Sequence, residues 1–224
     1  MKKVRVWDLP TRLFHWVLAG LLVVSVVTQY IGGNAMEWHF RAGYAVLTLV
    51  AFRILWGFVG PRYARFSSFL YGPSTILGYV RGKDVSRNRI LGHNPLGSLA
   101  VFALLAVVLA QAVSGLYAND DIAWDGPLVK FISKELSDKI TWFHTDVSAT
   151  VIFVLVGLHL LAILFYRFVK KRNLVRAMVT GDDEVDFDAV PANDSWGMRL
   201  LALAILAACA GVVYYVVTLP APQL

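Results

Sequence analysis

Five histidines, His15, His39, His93, His144 and His159, are the side chains in this sequence best suited to carry chemistry. The stretch TWFHTDVSATVIFVLVGLHLLAILF, residues 141–165, sets His144 and His159 fifteen positions apart in a run apolar enough for lipid. Ionisable groups inside a membrane are costly, so they line a cavity, meet a partner or serve a pathway. Neutral imidazole is also a common metal ligand, and iron in a bis-imidazole haem takes one from each axial side. A pair of histidines on facing helices supplies that arrangement.

The elements that carry these side chains follow from composition. Of the 224 residues, 58% are hydrophobic and 16% charged, with a mean hydropathy of +0.61. A chain this apolar belongs in a membrane, where about 20 residues of helix cross the hydrocarbon with every backbone group satisfied internally. Five runs qualify, at 11–31, 39–59, 96–117, 142–168 and 196–219. The basic start MKKVRVWDLPTRLFHWVLAG leads into an apolar run that continues past Thr28, so it reads as a retained first span. Short connections favour antiparallel neighbours, giving an all-α integral membrane protein: an up-down four-helix transmembrane bundle with a fifth C-terminal transmembrane helix. Gly72-Pro73 opens a short interfacial helix between spans two and three, and Asp8, Asn94 and Ser195 mark helix starts.

The net charge of +6 is unevenly spread. Lys2, Lys3, Arg5 and Arg12 precede span one; Arg62, Arg65, Arg81, Lys83, Arg87 and Arg89 lie between spans two and three; Lys170, Lys171, Arg172 and Arg176 follow span four. Alternating helices put all three groups on one side, which the positive-inside rule makes cytoplasmic, with the C-terminus periplasmic. The cations are scattered among short connections that topology already explains, so no nucleic-acid partner is expected. Cys209 is the single cysteine, and there is no C-x-x-C-H for covalent haem attachment. Residues 180–197, TGDDEVDFDAVPANDSWG, turn abruptly acidic. This divides the chain into a four-helix membrane domain at 1–178, an acidic cytoplasmic linker at 179–194, and the fifth helix with the C-terminus at 195–224.

Depth sorts the histidines. His39 opens span two and His144 lies two residues into span four, both near the outer surface. His15 lies sixteen residues before Ile31, and His159 lies seventeen after Trp142, so both sit about 24 to 26 Å deeper at the helical rise per residue. Fifteen residues at about 100° each leave His144 and His159 about 60° apart, on one broad face. Two stacked haem b groups fit, one between His15 and His159, the other between His39 and His144. Interhelical hydrogen bonds are the alternative use of each histidine alone, but four matched by depth favour the cofactor. Gly20, Gly43 and Gly157 leave room beside them. Arg53, fourteen residues past His39, sits about 21 Å further in. It either binds a propionate of the deeper haem or snorkels to the interface; Arg41 is the corresponding residue near the outer pair. His93, beside an Asn-Pro helix start, reads as an exposed or loop-bonded histidine, with replacement of His15 as ligand the alternative.

The strings VRVWDLPTRLFHWVLAG, FRILWGFVGPRYARFSSF and GHNPLGSLAVFALLAVVLAQAVSGLYANDD resemble the bacterial dihaem cytochrome b561 and nickel-iron hydrogenase b-type cytochrome subunit family over residues 4–180. The resemblance implies four helices holding two haems through His15 and His159 on the cytoplasmic side and His39 and His144 on the periplasmic side. It also implies single-electron transfer between the membrane quinone pool and a periplasmic redox partner, such as a c-type cytochrome or hydrogenase, with a quinone as a further ligand. Span five lies outside that core and is available for a partner or a second copy in a homodimer.

Three other functions compete. A haem-dependent superoxide:ubiquinone oxidoreductase needs a positive approach to the outer haem, for which Lys130, Lys134 and Lys139 are the candidates. A metal or proton transporter needs carboxylates at depth, yet only Asp146 falls within a span. A cofactor-free scaffold leaves the four histidines unexplained.

Overall fold

The computed structural model describes residues 2–83, 85–86 and 90–221; Arg87 and Arg89 of the second connection lie outside the described residues. Strand β1 (Lys2–Arg5) leads into α1 (Leu9–Ile31), α2 (Met36–Val59), the short α3 (Pro73–Val80) and α4 (Pro95–Gly115). Then come α5 (Lys134–Trp142), a π-helical turn at Phe143–Ser148 and α6 (Ala149–Phe168), which run as one span. Helix α7 (Leu174–Thr180), strand β2 (Asp182–Val185) and α8 (Trp196–Val217) complete the chain. Five helical stretches are long and apolar enough to cross a membrane: Leu9–Ile31, Gly33–Val59, Pro95–Gly115, Lys134–Phe168 and Trp196–Val217. The chain is thus an all-α, multi-pass membrane protein. Their large apolar side chains, Val23, Leu161 and Leu203 among them, stay exposed on the protein surface, as lipid-facing positions do.

Local chemistry sets the helix ends. Asp8 accepts from Thr11 N at 3.4 Å and Thr11 Oγ1 at 2.6 Å at the start of α1, and Asn94 accepts from Gly97 N at 2.8 Å before Pro95 opens α4. The fourth span starts eight residues before its apolar run, because Ser133 caps Leu136 N and Lys139 pairs with Glu135 one turn away.

The chain divides into two compact units. One comprises Met1–His15, Arg53–Ala103 and Val156–Ile205. Within it the acidic segment after span four, expected to be a linker, is built into structure. Strand β2 pairs antiparallel with β1, Arg5 opposite Asp182 and Lys2 opposite Val185. Arg5 binds Asp182 at 2.8 Å, Arg172 binds Asp183 at 2.6 Å and Arg176 binds Glu184 at 3.3 Å. Beneath these pairs Val4, Val6, Trp7, Tyr63, Leu91 and Val185 form a small core, and Tyr63 donates to the Val190 carbonyl at 2.8 Å. Exposed ion pairs contribute at most about 1 kcal/mol each, so the apolar contacts do most of the holding. Gly181, at φ 89°, ends α7, and its carbonyl accepts from Val6 N and Trp7 N; a Cβ there would meet the Trp7 carbonyl at 2.7 Å. Because β1 and β2 pair, they lie on one side of the membrane with four spans between them.

Asp194 ties three elements of that unit. It accepts from Leu9 N at 3.1 Å, from two nitrogens of Arg199 at 3.1 Å, and from Arg5 at 3.4 Å. The start of α1 and the start of α8 are thereby joined through one carboxylate. Burial alone would raise its pKa, but the Arg199 and Leu9 hydrogen bonds and the nearby cations hold it below the usual carboxylate range.

The other unit comprises Trp16–Phe52, Leu104–Leu155 and Leu206–Leu224. Gly32 and Gly33, both at positive φ, turn α1 into α2. The loop before α5 is organised from within. Asp120 accepts from the backbone N–H groups of Ile122, Ala123 and Trp124 at 2.8 to 3.0 Å, bonds that hold its pKa below the usual carboxylate range. Asn119 donates to Ser137 Oγ at 2.6 Å and to Asp138 at 3.1 Å, and Trp124 stacks on Phe40.

Candidate functional site

The histidines come in two pairs, one per unit. In the first unit, His15 of α1 and His159 of α6 have ring centres 6.3 Å apart with planes at 51°. In the second, His39 of α2 and His144 of the π-helical turn also have ring centres 6.3 Å apart, with planes at 83°. A metal–imidazole bond is about 2 Å and each ring centre lies about 1 Å behind its nitrogen, so two axial imidazoles on one metal stand roughly 6 Å apart, centre to centre. Both pairs have that spacing. Among the described residues no three His, Cys, Asp or Glu side chains converge as a metal site. Paired imidazoles suit a haem, whose porphyrin supplies the equatorial nitrogens itself.

The second unit also fixes which imidazole nitrogen faces the gap. His39 Nδ1 donates to the Ser25 carbonyl at 2.8 Å, and His144 Nδ1 donates to the Gln111 carbonyl at 2.9 Å. A carbonyl only accepts, so Nδ1 carries the proton and Nε2 keeps the lone pair a metal requires. Gln111 also donates its side-chain amide to His144 Nε2 at 3.2 Å. A metal at that nitrogen therefore displaces the Gln111 amide. Gly115 makes room for the ring: a Cβ there would stand 2.9 Å from His144 Cε1. At Gly20, Gly43 and Gly157 a Cβ would meet nothing within 4 Å, so these positions are open. The residues fit a haem in each unit.

The π-helical turn containing His144 was not visible in the sequence. It adds one residue to a turn and so resets the phase between His144 and His159 by about 100°, moving the wheel estimate from about +60° to about −40°.

The arginines differ. Arg53 is 3% exposed, its guanidinium 5.0 Å over the Phe66 ring, so it does not snorkel. Its Nη1 has no hydrogen-bond partner among the described residues. Arg41 is exposed, paired with Glu37 and lying over Trp38. His93 departs from the exposed reading: its ring packs against Phe69 at 4.2 Å and edge-on to Trp7 at 4.8 Å. Burial, with the Arg53 charge adding to it, pushes its pKa down to about 3. The lysines proposed for a superoxide approach are engaged. Lys134 pairs with Asp121 and Asp138, Lys139 with Glu135, and Lys130 donates to the Leu219 carbonyl.

Residues 6–181 match the family model described as prokaryotic cytochrome b561. The chain belongs to that family. It is similar to the probable Ni/Fe-hydrogenase B-type cytochrome subunits of Azotobacter vinelandii and of Azotobacter chroococcum mcd 1, at 31% and 30% identity. Each alignment covers 80% of this chain and 87% of the relative. The corresponding subunit of Bradyrhizobium diazoefficiens is 27% identical over 80% of this chain and 85% of its own length. No solved structure matches. As a b561 cytochrome, the chain is a haem-binding electron-transport protein of a membrane, of the b type. The match ends at Thr180-Gly181, so β2, Asp194 and α8 lie beyond the family's common part.

Proposed function

We propose that this cytochrome binds two haem b groups and carries single electrons across the bacterial inner membrane, between the quinone pool and a periplasmic redox protein. The observation that carries the reading is the pair of 6.3 Å imidazole separations, one in each unit. His15 and His159 would hold the cytoplasmic-side haem, and His39 and His144 the periplasmic-side one. Arg53 would bind a propionate of the first. Arg41 would serve the second by exchanging Glu37 for a propionate. Residues 1–178 then form the haem domain, 179–194 a cytoplasmic connection and 195–224 a fifth span open to a partner or a second copy. The N-terminus is cytoplasmic and the C-terminus periplasmic by the charge distribution.

Haem iron, which His15 with His159 and His39 with His144 would hold, would supply reversible one-electron chemistry. The protein contributes the rest. Backbone carbonyls hold the Nδ1–H of His39 and of His144, which leaves Nε2 of each as the nitrogen that would meet iron. The apolar spans exclude water, which lets a buried cation such as Arg53 weigh strongly on a nearby redox centre. The relatives' description as hydrogenase cytochrome subunits supports a hydrogenase as one class of partner, and the self-organised loop at 118–128 offers it a fixed surface.

Haem-to-protein ratio by pyridine haemochrome, with a reduced-minus-oxidised spectrum, tests this directly. Two haems per chain with a low-spin b-type spectrum are expected, one being lost in His144→Ala and the other in His159→Ala. A haem-replete preparation with fewer than two would overturn it. Partner choice is tested in proteoliposomes, where quinol on one side should reduce both haems and a periplasmic acceptor reoxidise them.

A further inference from the structure

Nη1 of Arg53 and Nδ1 of His93, both buried in the first unit, have no hydrogen-bond partner among the described residues. Both residues belong to the unit that contains His15 and His159. Their surroundings are one aromatic wall. Arg53 lies over Phe66, His93 lies on Phe69, and the Phe66 and Phe69 rings are 5.9 Å apart, both against Phe102. The two side chains are near enough for the Arg53 charge to be felt at His93.

A buried polar nitrogen without a partner is costly; Arg53 Nη1 lacks an acceptor, and so does His93 Nδ1 in the tautomer that places the ring proton there. Asp8 is the nearby carboxylate whose charge acts on Arg53. Its oxygens accept from Thr11 and from Trp56 Nε1 at 2.9 Å and not from Arg53 Nη1 or His93 Nδ1, so among the described residues no acceptor serves either nitrogen. Arg53 brings one positive charge and, with burial keeping His93 neutral, the imidazole brings an N–H alone. One cation and one neutral donor match a single carboxylate.

We propose that His93 and Arg53 together bind one propionate carboxylate of the haem held by His15 and His159, Arg53 as the charge partner and His93 as the neutral hydrogen-bond donor. The inference rests on the dihaem reading above and adds His93 to it as a cofactor-binding residue. A carboxylate stripped of that donor carries more effective negative charge, which favours ferric iron.

The test uses the full-length, haem-loaded protein. Wild-type haem content comes first, since fewer than two haems would sink the dihaem reading rather than this one. Potentiometric titration then compares wild type with His93→Phe, which keeps a ring but removes the donor, and His93→Asn, which restores an N–H near the Nδ1 position. In His93→Phe the haem that His159→Ala removes should be harder to reduce, by up to roughly tenfold in its one-electron equilibrium constant, or about 59 mV. His93→Asn should recover most of the shift. With haem dimethyl ester, whose carboxylates are blocked, wild type and His93→Phe should titrate alike. An unmoved potential, movement of the other haem, or a shift that persists with the ester each overturns the proposal. Should His93→Phe fail to fold, wild-type protein with 15N-histidine and 13C-carboxylate haem decides by solid-state NMR. Dipolar contact between a His93 ring nitrogen and a propionate carbon is expected, and its absence refutes the assignment.

Discussion

His39 and Ser25 meet across the turn between α1 and α2, the imidazole Nδ1–H donating to the Ser25 carbonyl at 2.8 Å. Thr28, one turn on, returns its own hydroxyl to the Val24 carbonyl at 2.7 Å. The same hydroxyl also reaches the Ser25 carbonyl at 3.2 Å, so that carbonyl is shared between Thr28 and the histidine it orients on the next helix. Replacing His39 with Gln keeps a polar side chain but lacks the ring geometry. His39→Gln should lose one haem of two and leave the spectrum of the haem at His15 and His159 unchanged, as read by haemochrome and difference spectra.

Gly115 controls the position of His144. Its substitution by Ala would put a methyl 2.9 Å from the imidazole, closer than carbon atoms tolerate. The ring must shift, and displaced support of a ligating histidine typically costs about 10- to 100-fold in metal affinity. Haem titration of Gly115→Ala should show that weakening at one site only. Gly20→Ala, where a Cβ meets nothing within 4 Å, should bind nearly as wild type in the absence of haem contact and less tightly if the haem edge lies there.

The imidazole planes differ, 83° in the His39–His144 pair and 51° in the His15–His159 pair. Perpendicular axial rings make two iron d orbitals nearly degenerate and widen the g anisotropy of low-spin ferric haem. Electron paramagnetic resonance should therefore show two unequal signals. The one with the larger maximum g value should disappear in His144→Ala, and its loss in His159→Ala instead would contradict the ring orientations.

Asp194 makes stability depend on acid. Its native pKa lies below the unfolded carboxylate value, so the stability it adds is fully present above about pH 4 and is lost as pH falls through the lower native pKa. Asp194→Asn should lower the melting temperature at neutral pH, and the difference from wild type should shrink as pH is lowered to 3. A constant difference would mean that the carboxylate charge is not what joins α1 to α8.

Trp56 is fully buried, and its indole N–H is one of the donors that Asp8 uses at 2.9 Å. Trp56→Phe keeps most of the volume and leaves the buried carboxylate short of a partner, a loss of about 1 to 3 kcal/mol. Denaturation in detergent should register it without any change in haem stoichiometry.

The spans, and the meeting of His15 with His159 and of His39 with His144, were legible because hydropathy and helical rise are properties of each segment alone. Asp8 and Asn94 were legible as caps for the same reason. His93 was not, since its burial comes from Phe69 and Trp7, which reach it from distant parts of the chain. The π-helical turn was hidden because nothing in FHTDVS distinguishes an extra residue in a turn from ordinary helix. The pairing of Lys2–Arg5 with Asp182–Val185 was hidden because four-residue strands of mostly charged side chains carry no alternation to read. The acidic composition of 180–197 pointed to a linker, whereas Asp182, Asp183, Glu184 and Asp194 pair with arginines.

That pairing orders events during synthesis. Residues 2–5 and 182–185 are separated by nearly the whole chain, so at roughly 5 to 20 residues per second the first strand waits about 10 to 40 s for its mate. Four spans have entered the bilayer by then. The N-terminal strand is thus a seam that stays open until four spans have been made, with only α8 still to follow.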